Sequence, residues 1–105
     1  MNPTKETILF DDALTLWGKE FQIMMAIEEM AELMQKLSHY LRKNRKVKYT
    51  EIASEIADVQ IMMRQLIQIF CILDIVNQQE ALKLNKLQQY IEKAKRGESA
   101  DSSQS

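Results

Sequence analysis

The sequence predicts an all-α fold: an antiparallel helical bundle of three main helices, preceded by a short N-terminal helix. Three observations carry that expectation. Only two glycines and one proline occur in 105 residues, which leaves little turn chemistry for a multi-stranded sheet. Apolar side chains return at three- and four-residue steps over long stretches, the period of a helix with one buried face. The breaks between those stretches are short, as connections in antiparallel bundles are.

Taken in order, residues 1–10 are mixed and hold the only proline, Pro3, so they read as an irregular lead-in. Asp11 or Asp12 can accept from the free N–H groups of a following turn and so cap a short helix from Ala13 to Trp17. Gly18 then kinks or ends it. A long helix is predicted from Lys19 to Arg42, with Ile23, Ala26, Ile27, Met30, Leu33, Met34, Leu37 and Leu41 recurring on one face. The basic run from Arg42 to Lys48 closes it. Cations suit the negative end of a helix dipole, and such a run reads otherwise as a solvated loop. Thr50 is the expected N-cap of the next helix, with Glu51 in its first turn, and that helix extends to about Leu73. Asp74 to Asn77 form a connector, and Asn77 caps a last helix that reaches about Lys95 before Gly97 stops it. The expected organisation is one domain over 1–96, followed by a polar tail, 97–105, with too little to bury to become ordered.

Composition narrows the function classes. Fourteen Lys and Arg face fifteen Asp and Glu, a net charge of -1, without the basic excess of a nucleic-acid binder. One cysteine, Cys71, excludes an intrachain disulfide and any CxxC site. Set in an apolar run, it reads as a buried small hydrophobe. No stretch reaches the roughly 18 uninterrupted apolar residues of a membrane span, and the N-terminus lacks the basic-then-apolar order of a secretory signal. The expectation is a soluble cytoplasmic protein with no nucleic-acid or membrane partner.

The third helix carries an anomaly. With Ile52 at zero and about 100° per residue, Ile52, Ile56, Val59, Met62, Met63, Leu66, Ile67, Ile69 and Phe70 fill about half the circumference. Glu55 falls near 300° and Asp58 near 240° on that wheel, roughly flanking Met62. An unpaired buried carboxylate costs several kcal/mol. The preceding helix adds Glu28, Glu29 and Glu32, spaced to share a face in pairs. Acids at helical spacing are commonly a solvated face. If instead two carboxylates from each helix meet, an all-oxygen site results, which selects Mg²⁺, Mn²⁺ or Ca²⁺ over zinc or copper.

Glu28-Glu29-x-x-Glu32, a spacer of 22 residues (33–54), and Glu55-x-x-Asp58 together resemble the MazG-like nucleotide pyrophosphohydrolases of the all-α NTP pyrophosphatase group. The likeness extends over Ala26 to Leu33, over Ser54 to Val59 and through the long apolar helix that follows, roughly residues 13 to 75. It implies a Mg²⁺-dependent enzyme, with Mn²⁺ a possible substitute, that cleaves a nucleoside triphosphate between the α- and β-phosphates. Under the resemblance Glu29, Glu32, Glu55 and Asp58 are metal ligands, and Glu28 supports a second ion or orients the attacking water. Gln22 stands where relatives often carry glutamine. Lys83 and Lys86 correspond in kind to phosphate-approaching residues of the last helix, although as isolated lysines they read as solvated side chains. Trp17 and Phe21 can stack on a base or simply pack.

The wide apolar arc of the third helix points to a homo-oligomer, dimer or tetramer, because so short a chain cannot easily cover it alone. Two other function classes remain compatible with these residues: a module that binds metal or nucleotide only to sense it, and a structural oligomerisation bundle without a ligand.

Overall fold

The computed structural model describes residues 3–42 and 46–97. It is all-helical, with α1 (Lys5–Trp17), α2 (Lys19–Leu41), α3 (Tyr49–Phe70) and α4 (Leu73–Lys95), and no strand occurs among the described residues. Two compact units divide between Cys71 and Ile72, the first containing α1 to α3 and the second α4. Among the described residues no helix is long and apolar enough to cross a membrane.

The first helix is longer than its sequence suggests. It starts at Lys5, not after Asp11 or Asp12, because Thr4 caps it: Thr4 is extended and its side chain accepts from the Thr7 N–H at 3.1 Å. Its polar residues, which made 1–10 look irregular, are ties to α3. The Arg64 guanidinium meets the Glu6 carboxylate at 3.1 Å, and Gln68 donates to the Thr7 carbonyl at 3.1 Å and to Asp11 at 2.7 Å. These contacts advance together along the two helices, so α1 runs parallel to α3. Gly18 ends α1 and opens α2. At φ 86° and ψ 160° it holds a conformation that side chains resist. Its N–H reaches the Leu14 carbonyl, and its own carbonyl receives the Gln22 N–H.

α2 ends within one residue of expectation, at Leu41. Lys43, Asn44 and Arg45 lie outside the described residues. The N-cap of α3 is Lys48, not Thr50, and the stabilising contact comes from within the helix. Glu51 turns back to accept the Lys48 N–H at 2.7 Å, the acidic half of a capping box. Tyr40 and Tyr49, with ring centroids 6.3 Å apart, bring the two helices together beside the connection.

Lys36 pairs with Glu51 and Glu32 lies beside Glu55. Each step toward the N-terminus of α2 thus matches a step toward the C-terminus of α3, which makes the pair antiparallel. Among the described residues Ala26 and Met62 are the buried apolar side chains, and Gln22 is buried as well. Far more apolar surface stays open: Met24, Ile27, Met34 and Leu41 on α2 are all more than half exposed.

The end of α3 is a correction. The helix stops at Phe70, three residues before the expected Leu73, and α4 begins at Leu73 instead of after Asn77. The break is made by Cys71 in the left-handed region, φ 55°, a conformation that costs a side-chain-bearing residue roughly 1–2 kcal/mol. No glycine or proline marks it, which is why the sequence pattern runs straight through. Cys71, expected among buried hydrophobes, is exposed. Gly97, at φ 82°, follows the end of α4 as expected; the rest of the predicted tail, 98–105, lies outside the described residues.

Candidate metal centre

Glu29 and Glu32 sit three residues apart on α2, so their side chains project from one face. The antiparallel register sets Glu55 of α3 opposite them. One carboxylate oxygen from each of the three lies within 4.8 Å of the others. Glu32 is exposed, whereas Glu29 and Glu55 are half-buried. The Oε2 atoms of Glu29 and Glu55 are enclosed and have no hydrogen-bond partner. An enclosed carboxylate oxygen without a donor forfeits the hydration it had in the unfolded chain, and ordinary folds avoid this.

The titration behaviour follows from that geometry. Burial holds Glu29 above its ordinary value of 4.5, and the charges of Glu32, Asp58 and Glu55 push the same way. Glu55 is also raised, first by burial, then by Glu32 and Asp58, with Lys36 opposing. Asp58 is therefore electrostatically part of the cluster. It lies exposed one turn along α3 from Glu55 and does not join the close triad. Glu28 is exposed, about 100° around α2 from Glu29, and is also outside the triad.

Lys36 was not among the residues the sequence pattern singled out. It follows Glu32 by one helical turn, pairs with Glu51 at 3.6 Å and is the cation that opposes the rise at Glu55. Its spacing to Glu32 was a possible signal, but its relation to α3 required the interhelical register. The other expected site residues fall at three places. Gln22 is 4% exposed on the face of α2 that carries Ala26, and Gln65 of α3 has a buried Oε1 without a partner. Trp17 is exposed beside Phe21, with centroids 6.1 Å apart and planes tilted 37°. Lys83 and Lys86 are exposed on α4, in the second unit.

The donor set is all oxygen, hard and anionic. It suits a divalent cation of the Mg²⁺, Mn²⁺ or Ca²⁺ type and offers no sulfur or imidazole to zinc or copper. The two orphaned carboxylate oxygens are where such an ion would be ligated. No protein-family profile matches the chain, and no curated protein or solved structure matches it.

Proposed function

We propose that the chain is a divalent-metal-dependent nucleotide pyrophosphohydrolase, which converts an NTP or dNTP to the monophosphate and pyrophosphate in the cytoplasm. The single observation that carries this reading is the convergence of Glu29, Glu32 and Glu55 within 4.8 Å, with two enclosed oxygens lacking any donor. Like charges gathered in this way are destabilising unless a cation or protons join them. The spacing of these acids also resembles that of the MazG-like enzymes.

Glu29, Glu32 and Glu55 would hold the ion, with Asp58 beside them. A bound Mg²⁺ or Mn²⁺ supplies phosphate-charge neutralisation and water activation. Water attacks the α-phosphorus, the bond to the bridging oxygen toward the β-phosphate breaks, and pyrophosphate leaves. Asp58, exposed beside the triad, or Glu28, exposed outside it, accepts the proton lost by the water. The Trp17–Phe21 pair offers exposed ring faces for a base. Gln22 supplies an amide on the inner face of α2. A homo-oligomer, dimer or tetramer, belongs to this reading because so few apolar side chains are buried among the described residues.

The test is pyrophosphate release from a panel of NTPs and dNTPs with Mg²⁺, with Mn²⁺ and with EDTA. Release that requires metal and falls at least about 100-fold in Glu55→Gln is the expected result, the scale of loss when an essential site group is removed. No release from any nucleotide, with folding intact, would favour a metal- or nucleotide-sensing module or a purely structural bundle.

A further inference from the structure

Next to the acidic triad, at the closed end of the α2–α3 hairpin, lies a polar cleft of about 380 Å³ lined by Lys36, His39, Arg42, Lys46, Val47 and Glu51. Lys36 and His39, three residues apart, lie on neighbouring positions near the end of α2, and Arg42 is the extended residue that caps it. Lys46 comes from the segment leading into α3. Four basic side chains therefore line one space.

The charge in the cleft is unbalanced. Its one carboxylate, Glu51, is already engaged: Oε2 takes the Lys48 N–H at 2.7 Å and Oε1 faces Lys36 at 3.6 Å. Arg42 and Lys46 make no ion pair among the described residues. Lys36 stands between the two regions, four residues from Glu32, or about 6 Å of rise along the helix. Acids and cations therefore succeed one another along a single hairpin.

We propose that this cleft binds a polyphosphate chain, holding the β- and γ-phosphates of the nucleotide substrate while the α-phosphate lies at the carboxylates. The assignment rests on the pyrophosphohydrolase reading for the identity of the substrate, but not for the anion site. Arg42 provides a planar fork suited to two phosphate oxygens, and Lys46 provides a compact charge. Lys36 screens the phosphates from the acids that would otherwise repel them.

Calorimetric titration of the full chain with inorganic tripolyphosphate, in EDTA and at low salt, reads the cleft without turnover. Wild type is expected to bind tripolyphosphate more tightly than orthophosphate, and binding should weaken as salt is raised. The double variant Arg42→Gln/Lys46→Gln should bind at least tenfold more weakly. Lys93→Gln/Lys95→Gln on α4 removes the same charge elsewhere and should bind as wild type does, and Glu55→Gln should bind no more weakly than wild type. Equal binding by wild type and Arg42→Gln/Lys46→Gln, or an equal loss in the α4 variant, would overturn the proposal, as would no binding by wild type. Failure here beside metal-dependent pyrophosphate release would remove the cleft assignment alone. Cleft-dependent tripolyphosphate binding, competed by a nucleoside triphosphate that is never cleaved, would support the cleft and retire the hydrolytic reading.

Discussion

Replacing Glu32 by glutamine separates a metal centre from an ordinary acidic surface. Two like charges 4.8 Å apart, the limit of the triad, repel by about 1 kcal/mol in water and about 3.5 kcal/mol at an effective dielectric of 20. Glu32 is exposed, so the lower figure applies to its repulsion with Glu29. The repulsion with Glu55 acts in the same direction. The glutamine amide can also donate to the Glu29 carboxylate, which a second carboxylate cannot do unless protonated. In EDTA the variant is therefore expected to be more stable than wild type by about 1 kcal/mol, or roughly 4–8 °C in thermal midpoint for a domain of this size. Saturating Mg²⁺ reverses the order. At a hundred times the dissociation constant a bound ion adds about 2.7 kcal/mol to wild type, and a variant with one ligand fewer gains less. Thermal unfolding followed by circular dichroism, in EDTA and across a Mg²⁺ series, reads both effects. Glu28→Gln, outside the triad, serves as control and should move by no more than about 0.5 kcal/mol. A Glu32→Gln protein less stable than wild type in EDTA, with no differential response to Mg²⁺, would refute the reasoning.

Glu29 and Glu55 titrate above 4.5 in the folded chain, so the stability they confer is complete below 4.5 and is lost as pH rises through their raised values. Without divalent ion, the difference in thermal midpoint between Glu55→Gln and wild type should grow in favour of the variant over that interval; a constant difference would contradict the shifts. At the α3–α4 break, Cys71→Gly relieves the left-handed backbone and should raise the urea midpoint by the equivalent of up to about 1 kcal/mol. Cys71→Ala, which keeps the Cβ, should give no such gain, and equal behaviour of the two variants would count against strain at that position.

Helix content was legible because apolar periodicity and the scarcity of glycine and proline are local properties. α2 was placed to within a residue at each end, and α3 began where its pattern begins. α1 was not, because its polar residues are explained only by partners far along the chain: Glu6 by Arg64, and Asp11 by Gln68. The α3–α4 boundary was missed for a related reason. Cys71 is not a residue that announces a left-handed turn, and the apolar pattern on either side does not change.

The candidate site divides in the same way. Sequence alone determined which acids share a face within each helix, since Glu29 and Glu32, or Glu55 and Asp58, are one turn apart whatever the fold. It also determined that Glu55 stands among apolar neighbours on its own helix. Which acids meet across the helices was decided by the antiparallel register of α2 and α3. That register draws Glu29, Glu32 and Glu55 together, leaves Asp58 at the edge and Glu28 in solvent, and brings Lys36 to Glu51. A helix repeats every 3.6 residues regardless of context, whereas register depends on how two side-chain surfaces interlock. The first is written residue by residue; the second exists only after the chain has folded back on itself.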